Sequence, residues 1–388
     1  MMPSFFDVAV VGGGPAGSAT ALSLRARAPS LSVVLIEASR YEVVRIGETL
    51  PPPARTILEH LGVWEAFRNQ HHREVRGTTA AWGSSAPLDN DFFYMPANTG
   101  WHLDRTAFDR MLADEAQRQG ATLMFDTRVR AAERVANEWR LTLSIGRTVA
   151  ARFVVDASGG RAAVARLCGA RFVAVDRLVG ITRFFEGGGH DPRTLVEAFE
   201  AGWWYTAGLP DGTRIVACMT DADLARRLKL HEPEEWRLRL DAMPCLGALL
   251  QGSKPCSSVI IRSAASGRLE PVAGEDWLAA GDTASRFDPL SSQGIMKALR
   301  SGIFASYAIV DLLTRCDDSG LGRYRRYVLE EFRGYAEVRT KYYREEQRWP
   351  SNEFWLRRQA TLDDSRSQAH SNAWGIPAGA EILAEARD

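Results

Sequence analysis

Three stretches of this chain hold residues whose types and spacing could do chemistry. Gly12, Gly14 and Gly17 follow the apolar run Phe5–Val11 with the spacing G-x-G-x-x-G, and Glu37 ends a second apolar run twenty residues after Gly17. Glycine at the first position permits a tight turn out of a strand, at the second lets backbone approach a pyrophosphate, and at the third lets a helix lie close on the strand. The helix that follows offers free N–H groups and a partial positive charge to phosphates, and a carboxylate at Glu37 suits ribose hydroxyls. The spacing predicts a dinucleotide site. It does not by itself separate FAD from NAD.

The second stretch is Gly281-Asp282 after the short apolar run Trp277–Ala280, followed by Pro289-Leu290-Ser291-Ser292-Gln293-Gly294 leading into a helix. The third is Arg45-Ile46-Gly47-Glu48-Thr49-Leu50-Pro51, with Asp104-Arg105 opening a later helix. His102, three residues before Arg105, is a candidate general acid or base, because histidine titrates near working pH. Glu48 is the other candidate, for taking a proton from substrate or for fixing its own loop. Asp288 suits loop capping or proton transfer, whereas His71 and His72 fall in a polar stretch and read as solvated.

The elements that must position these residues follow from periodicity. Strand, small-residue helix and strand over residues 7–37 form a βαβ unit. Asp104 caps a helix from Arg105 to Gln119, closed by Gly120. Residues 172–261 are β-rich, with a hairpin from Gly202 to Met219 across Pro210-Asp211-Gly212 and two helical interruptions, and from Ser292 onward the chain reads as helical. Alternation along the hairpin puts Trp203 and Tyr205 on one face, as candidate substrate contacts, and Trp204 on the other. The expected class is α/β: a Rossmann-like FAD-binding domain interleaved with a β-sheet substrate domain and a helical C-terminal region. The expected order is residues 1–75, 101–170 and 266–315 in the first, 76–100 and 171–265 in the second, and 316–388 in the third.

Composition narrows the partners. Lys+Arg and Asp+Glu balance at 48 each, poor material for nucleic acid or an anionic membrane surface. The five cysteines have no C-x-x-C pair and are odd in number, so neither a disulfide scaffold nor a metal site is expected. Reduced thiols suit a cytoplasmic enzyme. No apolar run approaches the roughly 20 residues of a membrane helix, and the start shows no export signal. Trp349, Phe354, Trp355 and Trp374 lie among many arginines, a pattern shared by partner interfaces and by a tail packed on its own domain.

Taken together, these motifs resemble the FAD-dependent aromatic-hydroxylase and flavin-halogenase superfamily. The resemblance implies that Asp282 bonds the ribityl chain, that Pro289 lies near the flavin ring, and that N–H groups from Gln293 through Gly294 to Ile295 face its pyrimidine edge. It implies that Arg45 and Gly47 belong to a flavin-proximal strap and that Arg105 opens a helix beside the cofactor. It extends the cofactor-binding set to Pro15, Ala16, Ala38, Val129 and Gly281, while Val154-Val155-Asp156-Ala157-Ser158-Gly159 matches a structural strand-to-turn signature. Phe287–Leu299, with Arg348-Trp349-Pro350 and Phe354–Arg358, is most similar to the flavoproteins that mature cysteine tryptophylquinone in amine dehydrogenases and amino-acid oxidases. That implies an FAD-dependent monooxygenase in which reduced FAD and O2 form a flavin hydroperoxide that hydroxylates an indole, such as a Trp in a partner peptide or protein. NAD(P)H or a reductase partner would supply the electrons.

The nearest rival is a flavin-dependent halogenase. Those enzymes resemble this chain but use a lysine beyond the strap, and here the first lysine is Lys229; their W-x-W-x-I-P motif is replaced by Gly202-Trp203-Trp204-Tyr205-Thr206-Ala207-Gly208-Leu209-Pro210. A flavin-dependent reductase or desaturase without oxygen insertion, and a non-catalytic flavoprotein that only binds a partner, are the further alternatives.

Overall fold

A computed structural model describes residues 4–94, 97–187 and 191–359. Among these, a seven-stranded sheet is ordered Thr122–Met124, Val33–Ile36, Ser4–Val11, Thr148–Asp156, Glu138–Leu143, Val129–Val135, with Trp277–Ala279 also paired to Thr148–Asp156. Ser4–Val11 runs parallel to both its neighbours, and its last four residues are buried on both faces, which is why the sequence shows a continuous apolar run there. Two long helices pack over this sheet. Pro15–Arg27 follows the glycine loop, and Gly294–Arg315 crosses it. Gly302 makes the crossing possible: a Cβ there would sit on the Ala16 carbonyl oxygen and within 3.0 Å of the Ala19 side chain.

An eight-stranded sheet carries the candidate substrate face. Its order is Lys254–Pro255, Leu178–Glu186, Arg214–Asp221, Gly202–Gly208, Thr194–Phe199, Gly77–Ala81, Leu88–Asp91, with Ile260–Ser263 paired to Leu178–Glu186. The hairpin expected around Asp211 forms Gly202–Gly208 against Arg214–Asp221, with Trp203 opposite Met219 and Tyr205 opposite Ala217. Residues 77–91 enter this sheet beside Thr194–Phe199, although most of its strands come much later in the chain. A three-stranded sheet, Thr49–Leu50 with Gly100–His102 and Arg73–Val75, places Thr49 opposite His102.

The helix expected after Asp104 forms at Arg105–Arg118 and the two interruptions of the β-rich stretch at Ala222–Arg227 and Pro233–Asp241; further helices span Ala54–His60 and Pro244–Leu249. The first turn of Pro244–Leu249 is held by Glu197, whose carboxylate accepts from the Leu246 N–H at 2.8 Å. After Gly294–Arg315 come Ser319–Glu345 and Glu353–Gln359. Glu353–Gln359 covers one face of the large sheet: Trp355 is fully buried, and its indole N–H donates to the Phe199 carbonyl at 3.0 Å. Trp349, Phe354 and Trp355 therefore pack on their own chain with Trp203 and Tyr343. Trp374 lies outside the described residues. No helix among them is long and apolar enough to cross a membrane.

Candidate functional site

The glycine loop is built by its neighbours rather than by a cap. Gly12 takes φ +108°, a value open to glycine, and a Cβ at Gly17 would strike the Gly12 carbonyl. Glu37, nearly buried, accepts from the Gly13 N–H at 2.8 Å and from the Ser39 N–H at 3.0 Å. The Tyr41 hydroxyl donates to the Gly13 carbonyl at 2.7 Å. So Glu37 shapes the loop itself, a role its spacing did not announce. Ala38 is half-buried beside it, and the Thr127 N–H, two residues before Val129, donates to the Glu37 carbonyl at 2.9 Å.

Arg45 comes back over this loop. Its guanidinium donates to Glu37 at 3.1 Å, to the Ser39 hydroxyl at 3.0 Å and to the buried Asp109 at 2.7 Å, and lies 3.9 Å from where a Gly14 Cβ would stand. Arg105 reaches both oxygens of Asp109, the one shared with Arg45 at 3.1 Å and the other at 3.2 Å, and donates to the carbonyls of Ile46 at 3.1 Å and Gly47 at 2.7 Å. One buried carboxylate thus holds two arginines, and one of them ties down the strap.

Two long helices begin at this place without caps. Neither Pro15–Arg27 nor Gly294–Arg315 has a side-chain cap or an acidic residue in its first turn, and space is open around Gly294. Uncapped, acid-free helix N-termini expose N–H groups and a positive dipole end. They meet because Gly281 lies against Ala16, and the Gly281 N–H donates to the Ser301 hydroxyl at 2.8 Å. Gly12, Gly14, Pro15 and Ala16 lie at the start of one helix; Gly281 and Asp282, then Pro289, Gln293, Gly294 and Ile295, lead into the other, which Ala16 and Gly281 meet one to two turns past its start, at Ala298 and Gly302. That arrangement fits an anionic dinucleotide. Asp282 is more than half exposed, and the buried Lys297 donates to it at 2.8 Å and also to the Ser285 carbonyl. Lys297 was not singled out by its motif, although a lone lysine in an apolar helical stretch was the available signal.

The strap and the substrate sheet are stitched together by the two residues proposed from sequence for acid–base work. Glu48 is 3% exposed; it accepts from the Gly47 N–H at 2.9 Å, and the Tyr205 phenol faces it. Burial pushes the Glu48 carboxyl up, against the lowering effect of these groups and of Arg105. Burial likewise pushes the Tyr205 phenol well up, helped by Glu48. His102 is fully buried. Its Nδ1 lies 2.9 Å from the Gly208 carbonyl and its Nε2 2.8 Å from the Thr194 hydroxyl. A carbonyl only accepts, so Nδ1 carries the proton and Thr194 donates to Nε2. Burial, with Arg73 and Arg214 nearby, holds His102 down to about 4. Both ring nitrogens are occupied by the sheet.

His72 departs from its solvated expectation. It is buried against Phe67 and Phe108, and its Nδ1 accepts from the Asp104 N–H at 3.2 Å. The aromatic residues that cover it come from two separate helices, so polar neighbours in sequence gave no sign of them. His71 is exposed. Trp203, a candidate substrate contact, is 1% exposed, and its indole N–H donates to the Tyr343 hydroxyl at 3.0 Å. Trp204 faces the opposite side, edge-on to Trp236 at 5.0 Å. The alternation holds, but both faces are packed by the chain's own helices. Asp288 caps its turn, accepting from the Leu290 N–H at 3.0 Å.

The sequence matches the family described as FAD binding domain over residues 6–326. It is 29% identical over 363 residues to the protein of Marinomonas mediterranea named FAD-dependent oxidoreductase LodB, covering 92% of this chain and 97% of that one. It is 26% identical to a tryptophan 2-halogenase of Chondromyces crocatus, covering 80% of this chain but only 62% of that enzyme's length. Among solved structures, the myxobacterial chondrochloren halogenase CndH superposes with a TM-score of 0.86 at 24% identity, covering 94% of this chain and 88% of that one. The peptidyl tryptophan dihydroxylase QhpG gives 0.70 at 26% identity, covering 97% and 82%. The fold is the mixed α/β one expected, and the relatives lean toward halogenases more than the hydroxylase expectation did.

Proposed function

Given that this chain belongs to the FAD binding domain family and is an FAD-dependent oxidoreductase of the halogenase and hydroxylase type, we propose that it hydroxylates an electron-rich arene. The preferred substrate is an indole, in the form of a Trp side chain of a partner polypeptide. The observation that carries this reading over halogenation concerns lysine. Of the chain's four lysines, Lys229, Lys254 and Lys341 are exposed, and Lys297 is buried and committed to Asp282. None lies in the strap or the three-stranded sheet beyond it.

FAD, when bound, supplies the redox chemistry with O2. Gly12, Gly14, Arg45 and the N-terminus of Pro15–Arg27 would hold its phosphates, and Asp282 with the Pro289–Ile295 turn would hold the flavin half. This chain's part is to orient the arene and exclude water. Tyr205 and Glu48 close the seam between strap and sheet, where burial raises the Glu48 carboxyl above its ordinary range.

Halogenation is the second reading, favoured by the number of relatives with halogenase names. The deciding experiment is intact-mass analysis of a Trp-containing peptide after turnover with FAD, a flavin reductase, NADH and chloride or bromide. A gain of one or two oxygens supports hydroxylation. Replacement of a hydrogen by the halogen supplied overturns it.

A further inference from the structure

Asp288 stands one residue before Pro289 and is 1% exposed. Three side chains of the helix Ser319–Glu345 converge on it. Its N–H donates to the Tyr335 hydroxyl oxygen at 2.6 Å, and its carboxylate accepts from Arg339 Nε at 3.2 Å and from the Tyr343 hydroxyl at 2.8 Å. These residues are spaced by four, so they form a single row on one helix face. Their ring and stem packing is equally tight: Tyr335 stacks on Phe287 at 4.0 Å, and the Arg339 guanidinium lies 4.9 Å from the Tyr343 ring centre.

Each member of the row also reaches the substrate sheet or its edges. Tyr335 shares a hydrogen bond with Ser266 at 2.8 Å, Arg339 donates to Asp176 at 2.9 Å, and Tyr343 accepts from the Trp203 indole at 3.0 Å. Asp176 and Ser266 flank the point where the chain enters and leaves the eight-stranded sheet, and Asp176 accepts from the Ser266 N–H at 3.1 Å. The capped turn after Asp288 is therefore fastened to the sheet through one helix at two buried points and one part-buried one.

We propose that Tyr343 is a positioning residue that transmits the state of Trp203 on the substrate sheet to Asp288, and so sets the turn that leads into the helix Gly294–Arg315. Its hydroxyl has one proton. Accepting from Trp203 leaves that proton aimed at Asp288, and a hydroxyl that accepts from one partner donates more strongly to the next. Trp203 and Tyr205 share a face of one strand, with ring centres 6.2 Å apart. Tyr205 meets the strap through Glu48, so a single strand face contacts both segments assigned to the flavin. The proposal rests on reading the Pro289–Ile295 turn as flavin-facing.

The test is a double-mutant cycle on full-length protein, with Tyr343→Phe, Trp203→Phe and the double variant. It reads the FAD dissociation constant by flavin fluorescence and the flavin midpoint potential, with melting temperature as a control. Tyr343→Phe should weaken FAD binding about tenfold, the scale of one charge-assisted hydrogen bond, and shift the potential. Trp203→Phe should shift both in the same direction by less, and the double variant should match Tyr343→Phe alone. Unchanged binding and potential in Trp203→Phe, or effects that simply add, overturns the proposal. Should Tyr343→Phe fail to fold, Tyr335→Phe with Ser266→Ala runs the same cycle through the neighbouring contact, with the same outcomes. Asp282→Ala separates the two levels. If it weakens FAD binding while the cycle is silent, only the Tyr343 proposal fails; if it too is silent, the flavin reading fails.

Discussion

Tyr205, on the large sheet, presents its phenol to Glu48, on the strap, a carboxyl that burial has already pushed up. The phenol lowers the cost of ionising Glu48, second to the Gly47 N–H and ahead of Arg105. Removing the hydroxyl leaves the Gly47 N–H at 2.9 Å, the Glu48 N–H and Arg105 as the partners that favour the charged form.

Tyr205→Phe should therefore destabilise the protein by about 1–3 kcal/mol at neutral pH, the range for a buried group losing a hydrogen-bond partner. Glu48→Gln should cost less, because a neutral amide still accepts from Tyr205 and needs no ionisation. Urea unfolding of both variants checks this. Equal stability of Tyr205→Phe and the parent would remove the pair as a seam.

Much of this was legible in the residues, and the division has a physical cause. The glycine loop, the apolar strand that leads into it and the hairpin at Asp211 are set by residues close in sequence, so periodicity and turn chemistry reported them. Glu48–Tyr205, His102–Thr194 and Tyr343–Asp288 join residues distant in the chain, and no local pattern encodes such partners. His102 shows the consequence: its type suggested acid–base work, while its burial and two hydrogen bonds show a clamp between strap and sheet. The row Tyr335, Arg339, Tyr343 drew no attention in the sequence, because only its distant target, Asp288, gives its four-residue spacing meaning.

Acid should loosen the protein through its buried histidines. Burial holds His102 and His72 each near about 4, against an ordinary value of 6.5. Their folded-state values lie below the unfolded ones, so the unfolded chain binds more protons across that interval. Stability from this source is whole above the unfolded value and is lost as pH falls toward the folded one. At about 1.4 kcal/mol per pKa unit, the loss reaches roughly 3 kcal/mol for a fully buried ring. His102→Gln should lower stability at neutral pH yet shrink the difference between about pH 7 and pH 5, measured by urea unfolding at each. An unaltered pH slope would show that His102 does not titrate on unfolding.

Asp282 and Lys297 make a second pair with unequal exposure, since the lysine is 1% exposed and the aspartate 58%. The buried member is the one that suffers when the pair is broken. Asp282→Ala should weaken FAD binding at least about tenfold and also lower the melting temperature of the FAD-free protein, by stranding Lys297. Combining it with Lys297→Met should recover the melting temperature without recovering FAD affinity. Recovery of both would mean that Asp282 serves the fold and not the cofactor.

Arg45 offers the sharpest probe of the phosphate side. Its guanidinium spans Glu37, Ser39 and Asp109 while lying next to Gly14, and the Asp109 carboxylate it holds is fully buried. Arg105 also grips Asp109, so Arg45→Ala leaves that carboxylate paired but clears the cation above the loop. FAD affinity should fall about 10- to 100-fold, with only a modest change in stability. Arg45→Lys should recover little, because an ammonium cannot repeat a planar fork that serves three acceptors on two sides. Titration of FAD into the apo-proteins, at low and high salt, measures this. The loss in Arg45→Ala should be largest at low salt, where the cation's field is least screened. An affinity that survives Arg45→Ala, or a full rescue by lysine, would move the arginine from the phosphates to the scaffold.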